Sequence, residues 1–418
     1  MIRTQTLPCI LNRELADSLN RESGRIYTGV MVSHWRALRH SGHWTSPFRA
    51  MKWADWRDRE VSALLHSHSI DAAQEGFYKA CKTAKACKDI GGKYPRKRKM
   101  FRTTVWKNTG IRKRDGHLTL SLARGQEPVK LVLPSQFAAL DAKAFVETRL
   151  VYDIAQAKYE WHLVIEDGKE PEAARGTSIA AIDLGEIHPA VATDGTEGMV
   201  FSCRELRSIV QGREKRLASI TSKLSKLQKG SRRWKQLKAR KAKFLAKQDK
   251  RRRDLEHKVS RSVVNWAKER NVGALGIGDV GNIADKTKVE KRLNAKTRQK
   301  VSSWSHGKMR QYIGYKAAAV GIEVNDKISE KYTSQTCPQC GTRKKPRGRN
   351  YSCSCCGFRG HRDIVGASNI LSRFINIRNG EPEKEIGGMY PPSQKYRRPF
   401  QKWNQDGVVA RHGASGLA

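Results

Sequence analysis

The tightest constraint on this chain is the run CPQCGTRKKPRGRNYSCSCCGF, in which Cys337 and Cys340 form one C-x2-C pair and Cys353 and Cys356 a second, twelve residues on. Each pair can bring two thiolates to about 2.3 Å from one Zn²⁺, and two facing pairs complete a tetrahedron. Gly341 and Gly357 follow the pairs and supply the free backbone such turns need. Four thiolates close the coordination sphere, so the spacing predicts one structural zinc rather than a catalytic one. Cys355 falls outside the spacing and reads as a bystander, while the intervening RKKPRGR can touch phosphate. Five of the nine cysteines crowd into this run, which points to metal rather than disulfides in a reducing compartment. Cys9, Cys81, Cys87 and Cys203 are scattered and read as apolar fillers.

Charge narrows the partner. The 418 residues carry 82 Lys+Arg against 40 Asp+Glu, a net charge of +42. Such an excess opposes folding by self-repulsion unless a polyanion neutralises it, and a long duplex or structured RNA suits it better than a small site. The positive charge is spread along the chain, unlike the single cluster of a membrane-surface anchor. No apolar run approaches the roughly 18 residues of a membrane span. The opening MIRTQTLPCIL is too short in apolar residues for a secretory signal. The expectation is a protein of the cytosol, nucleoid-associated when bound to its target, with no membrane partner.

Hydrophobic periodicity gives the organisation. Residues 1–10 form a strand, and 93–172 alternate with period two (GHLTLSLA, VKLVLPS, AKAFVETRLVYDIAQAKYEWHLVIED), which predicts antiparallel strands in a small barrel or sandwich. Residues 11–92 interrupt them with helical patterning. Trp35, Trp44, Trp53 and Trp56 there either pack a small core, the favoured reading, or stack on bases. The hinge GGKYPRKRKM carries a basic cluster in which Lys97 and Arg98 are candidate nucleic-acid contacts. The strand SIAAIDLG is followed by a hairpin partner, HPAVATDG, and then by leucines and isoleucines spaced as in a heptad seam. A second amphipathic helix follows, so 204–270 reads as a long antiparallel helical pair. Its outer face (KARKAKFLAKQDKRRR) makes Arg240, Lys241, Arg251, Arg252 and Arg253 candidate phosphate contacts. VGALGIGDV is a further strand, ADKTKVEKRLNAKTRQK a mobile span, and IEVNDKIS a strand leading into the cysteines. The basic Gly/Pro/Ser-rich tail, 386–418, is expected to be disordered unless nucleic acid orders it.

Two aspartates stand where chemistry can use them. Asp183 ends an apolar strand in AAIDLGEIHPA, and Asp363 opens an apparent helix in HRDIVGASNIL. Each alone has a plain structural reading, as a turn residue and as an N-cap. Together, a strand-end and a helix-borne carboxylate are what a two-metal phosphodiester-cleaving site requires.

IDLGEIHPAVATDG, YTSQTCPQCG and YSCSCCGFRGHRDIVGASNIL resemble, in order, the signatures of TnpB, the OrfB-type nuclease of insertion sequences ancestral to type V CRISPR effectors. The resemblance is specific over about 178–372 and architectural only over 1–177. It implies an α/β plus β fold: a split RuvC (RNase H-like) nuclease domain over 178–332 and 360–385, with a zinc ribbon, 333–359, inserted. It also implies an N-terminal wedge β-barrel over 1–10 and 93–172, a helical recognition insertion over 11–92, and a guide RNA that selects double-stranded target DNA. Asp183 matches the family's first catalytic aspartate and Asp363 its last, with two Mg²⁺ implied.

The middle position departs from the family. Where members commonly show E-D-L, this chain shows Gly278-Asp279-Val280. Three readings stay open: Asp279 serves, although one residue out of register it points to the opposite face; the enzyme is dead and acts as a guided repressor or transposition-associated protein; or Glu330, in ISEKYTSQTC, replaces the missing ligand. The third is favoured, since in the implied sheet the strand ending near Glu330 lies beside the one ending at Gly278, about 4.8 Å away. Some family members show the same pairing. The resulting expectation is an RNA-guided, Mg²⁺-dependent DNA endonuclease using Asp183, Glu330 and Asp363. A zinc-ribbon RNA-binding protein without a DNA target is a further alternative, and the oligomeric state is open.

Overall fold

In the computed structural model, which describes residues 2–47, 63–166, 170–173, 176–279, 303–346, 348–381 and 389–398 together with 168, 294 and 299, alternating side chains set the architecture of the first of two units, Met1–Glu170. Strand β1 (Ile2–Pro8) leads into helix α1 (Arg13–Ser41), whose N-cap Asn12 accepts from Glu14 N at 2.7 Å. Helix α2 (Ser67–Ala86) follows, then β2 (Thr104–Lys107), β3 (Ile111–Arg114), β4 (His117–Leu120), β5 (Val129–Val132), β6 (Phe145–Asp153) and β7 (Lys158–Glu166). The strands make two sheets, in orders β1-β7-β6-β2 and β3-β4-β5.

This corrects the expected barrel: no closed barrel forms among the described residues, because β1 and β2 each pair on one side only. Helices and the second sheet cover the apolar face instead, with Leu19 and Ile26 of α1, Ile70 of α2 and Leu118 and Leu131 of the small sheet sharing one core with Trp106 and Trp161. Trp35 and Trp44 pack in an aromatic cluster with His34, Phe77 and Tyr94, which favours the packing reading over base stacking. Trp53 and Trp56 lie outside the described residues.

The second unit, Pro171–Ala418, is built on one mixed sheet. Its elements are β8 (Ser178–Asp183), β9 (Ala190–Thr193), β10 (Glu197–Phe201), α3 (Arg204–Ser225), α4 (Arg232–Glu269), β11 (Val272–Asp279), α5 (His306–Ala318), β12 (Glu323–Ser329), β13 (Asn350–Ser352), β14 (Arg359–His361), α6 (Arg362–Arg378) and β15 (Ser393–Arg397). The sheet order is β12-β11-β8-β9-β10-β15. Strands β8, β9 and β10 form an antiparallel meander, while β11 runs parallel to β8 and β12 parallel to β11. Those three parallel strands therefore end side by side, at Asp183, Asp279 and Ser329. The inner strands β8, β9, β10 and β11 are largely buried on both sides, as a covered sheet demands, while the edge strands β12 and β15 are polar. On one face Ala180, Ile182, Leu275 and Ile277 pack with Val259 and Val263 of α4 and Ile313 of α5; on the other Ala181, Ala274 and Ile328 meet Ile370 and Phe374 of α6.

The tail departs from the expected disorder. Residues Ser393–Arg397 add β15 to the sheet, parallel to β10. The open edge of β10 supplies unpaired backbone groups, and two ion pairs hold the added strand: Lys395 Nζ–Glu197 Oε2 at 2.7 Å and Arg397 Nη2–Glu269 Oε2 at 2.6 Å. Residues 399–418, and most of the span predicted to be mobile after β11, lie outside the described residues. No helix among the described residues is long and apolar enough to cross a membrane.

Candidate active site

The parallel ends of β8, β11 and β12 concentrate acidic side chains under α6. Asp183 closes β8; burial, followed by the charge of Asp363, pushes its carboxyl up to about 7 against the pull of Arg362 and Arg349. Glu330 follows β12 directly, and burial, then Asp183 and Asp279, raises it to about 9. Its Oε1 is buried and accepts no hydrogen bond. Asp183 is thus the common neighbour, close enough for its charge to act on Asp363 on one side and Glu330 on the other.

Gly278 pairs with Ile328 on β12, and a Cβ there would stand 2.0 Å from Glu330 Oε1 and 2.6 Å from its Cγ. The Glu330 side chain fills the volume that a side chain at position 278 would occupy. Asp279, one residue on, takes the opposite course: its Oδ1 accepts from Arg310 Nη1 at 2.8 Å and its side chain is 43% exposed. The alternation of a strand accounts for the difference.

Helix α6 organises the site. Asp363 lies in its first turn, where a negative charge is favoured. Gly366, on the same face one turn on, lets Asp183 approach: a Cβ there would lie 2.5 Å from Asp183 Oδ2. Further along, Arg373 donates to the carbonyls of Ser329 and Lys331 at 2.6 and 2.9 Å, so it grips the backbone on both sides of Glu330. Asn369 Nδ2 donates to Thr333 O at 2.6 Å and Thr336 O at 2.8 Å. Arg349 donates to both oxygens of Asp363, at 2.7 and 2.5 Å. Sequence reasoning missed Gly366, Asn369, Arg373 and Arg349. The only signal was the i, i+3 spacing of Asp363 and Gly366, and Arg349 was hidden inside RKKPRGR, read there as a phosphate contact.

A hard divalent cation fits this donor set: two half-buried carboxyls held above their ordinary values, one with a buried and unused oxygen, favour the acquisition of positive charge. Among the described residues, the groups with three or more potential metal-ligand atoms within 4.8 Å of one another are two, the four cysteines and His188, His361 and Asp363; the three carboxylates do not meet that mutual spacing.

The cysteine cluster is compatible with a zinc ribbon. Cys337 Sγ lies 3.6 Å from Cys356 Sγ, and Cys340 Sγ 3.5 Å from Cys353 Sγ. Four sulfurs about 2.3 Å from one ion are separated by about 3.8 Å. Gly341 and Gly357 both adopt φ 73°, the left-handed turn their positions predicted, and Cys355 is exposed.

Helices α3 and α4 pack antiparallel, since Arg213 meets Asp249 while Thr221 meets Lys241 nearer the turn. Arg240, Arg251 and Arg253 are exposed on α4, as are Lys97 and Arg98 in the first unit. A groove of about 730 Å³ between α3 and α4 is lined by Arg204, Arg213, Arg216 and Arg251. Two of the candidate contacts are engaged internally. Lys241 Nζ reaches Thr221 Oγ1 at 3.2 Å. Arg252 lies 3.5 Å from Glu256, which is 1% exposed, and 3.6 Å from Asp249, so it serves the fold rather than offering a free charge.

Two family models match the chain, one described as "Cas12f1-like, TNB domain" over residues 306–370 and one as "Probable transposase" of the OrfB type over 162–284. A TnpB-like protein of Methanocaldococcus jannaschii is 26% identical over 218 residues, 50% of this chain and 73% of that relative. The CRISPR-associated endodeoxyribonuclease Cas12f1 of Sulfoacidibacillus thermotolerans is 31% identical over 117 residues, 27% of this chain and 25% of that one. In fold, the chain resembles Cas12f1 as solved by cryo-EM with its sgRNA and target DNA: TM-score 0.58 and 14% identity, over 87% of this chain and 83% of that one. The chain is thus similar to TnpB-like proteins over half its length and, in fold, to a compact type V effector.

Proposed function

We propose that this chain is an RNA-guided DNA endonuclease whose RuvC-type site is made by Asp183, Glu330 and Asp363. The observation that carries the reading is the exchange at the strand ends: Gly278 has no side chain where Glu330 supplies a carboxylate, beside the half-buried Asp183. The three carboxylates would hold two Mg²⁺, which when bound supply an activated water and stabilisation of the leaving 3′ oxygen. The chain's own residues prepare the site. Gly366 and Gly278 clear the volumes that Asp183 and Glu330 enter, Arg373 fixes the backbone around Glu330, and Arg349 orients Asp363. Burial strengthens every interaction with the scissile phosphate by excluding water.

Guide RNA and double-stranded target DNA are the proposed partners, as in the solved relative. The exposed arginines of α4 and the groove beside them offer backbone contacts that read no sequence, leaving target selection to base pairing. The four cysteines, whose sulfurs gather within 4.8 Å of one another, would hold one structural Zn²⁺. The first unit acts as the wedge and recognition lobe, with Lys97 and Arg98 on nucleic acid. The test is direct: RNA copurifying with the chain is sequenced, a matched DNA duplex is added with Mg²⁺, and product is measured. Cutting that disappears in Asp183→Ala supports the proposal. Tight binding without product under any divalent metal would instead identify a guided repressor.

A further inference from the structure

We propose that His188, His361 and Asp363 form a binding site for a divalent transition metal, separate from the four cysteines and adjacent to the pair Asp183 and Glu330. The three side chains come from three elements: the loop after β8, the last residue of β14, and the first turn of α6. One ligand atom of each lies within 4.8 Å of the others. The two imidazoles are neighbours, with ring centroids 5.5 Å apart and planes inclined by 57°. Each ring leaves a buried Nδ1 with no hydrogen-bond partner. Buried polar nitrogens nearly always find partners, so two orphans beside one shared carboxylate point to a ligand that supplies the missing interaction.

The donor set selects the metal. Carboxylate, carbonyl and water oxygens suit Mg²⁺, whereas imidazole favours the later first-row ions and Zn²⁺. Two imidazoles and one carboxylate would supply three ligands and leave further positions on such an ion open to water. Asp363 can serve although Arg349 already occupies it, since a carboxylate offers about four acceptor positions and Arg349 takes two. Arg349 is also the nearest opposing charge, with Arg362 beside Asp183 and Arg204 beside His188. A bound dication must be held against them, so the imidazoles carry the selectivity. The site stands whether or not the neighbouring carboxylates cut DNA.

The experiment uses Co²⁺ as probe on the full chain with its cysteine cluster already loaded with zinc. Cobalt on nitrogen and oxygen gives weak visible bands, without the intense thiolate charge-transfer bands of cobalt in a cysteine site. With Co²⁺ limited to one equivalent and Mg²⁺ in excess to occupy the carboxylates, the expected result is bound cobalt with nitrogen/oxygen bands, persisting in Glu330→Gln and weakened at least about tenfold in His188→Gln and His361→Gln. Far-UV circular dichroism and retained zinc show that those variants fold. Hyperfine-shifted imidazole N–H resonances in the cobalt-loaded wild type give a second readout that needs no variant. No cobalt uptake outside the cysteines, unchanged affinity in both folded histidine variants, or bound cobalt without shifted imidazole signals would each overturn the proposal.

Discussion

Gly278→Ala is the sharpest small change available. The new methyl would stand 2.0 Å from Glu330 Oε1, 2.6 Å from Cγ and 2.7 Å from Cδ, so the Glu330 side chain must leave its place. Arg373 holds the backbone on both sides of that residue, which prevents relief by a shift of the chain. Overpacking of this kind costs about 1–3 kcal/mol. With Glu330 already truncated to alanine, the clash is gone and the sign reverses. Gly278 is not in the left-handed region, so alanine there restricts the unfolded chain and stabilises by about 0.4–1 kcal/mol. The coupling in a double-mutant cycle is therefore about 1.5–4 kcal/mol. Native-state hydrogen exchange of the β11 and β12 amides measures it locally, free of the several transitions that global unfolding of a two-unit chain involves. The wild-type background should lose roughly tenfold in protection or more, each factor of ten being about 1.4 kcal/mol. Equal effects of Gly278→Ala with and without the Glu330 side chain would refute the packing account of the glycine.

Two further outcomes follow from the same structure. Glu330 is raised from 4.5 to about 9, so the stability tied to its proton is fully present below pH 4.5 and lost as pH rises through about 9. Asp183, raised to about 7, acts in the same direction. In chelator, thermal stability should fall from pH 6 to pH 9, and Glu330→Gln, which stays neutral, should flatten that fall by an amount on the order of a few kcal/mol; a pH profile identical to wild type would count against the burial of Glu330. On α4, Arg252→Gln leaves the buried Glu256 short of its cation and should destabilise by about 3 kcal/mol. Arg251→Gln and Arg253→Gln should leave stability within about 0.5 kcal/mol while each lowers the salt slope of nucleic-acid binding by about 1, as read from affinities across a salt series.

How legible all this was depended on how local the signal is. The cysteine pairs, the left-handed glycines after them and the strand-end Asp183 are local patterns, readable because spacing alone sets their geometry. The helical pair was readable for the same reason, from apolar residues at helical intervals. Long-range features were not. Strand β15 pairs with an edge formed almost two hundred residues earlier, and nothing in SQKYR distinguishes it from an exposed tail. The barrel failed because alternation specifies a covered face without saying whether strands or helices cover it. Charge runs hid the partners within them: Arg252 and Arg349 look like their neighbours in sequence, yet each faces a carboxylate. His188 and His361 sit alone in sequence and meet only in the fold. Glu330 lies between these extremes. Its distance in sequence from Gly278 conceals the relation, and parallel pairing of neighbouring strands discloses it.

The measurement that bears most directly on the central claim is cleavage of a guide-matched DNA duplex in Mg²⁺ by Glu330→Gln. Gln is close in size to the protonated Glu and leaves the packing against Gly278 intact, so folding and target binding should match wild type. The account predicts bound target and no product. Cutting at the wild-type rate would contradict it and return the search for the third carboxylate to other residues.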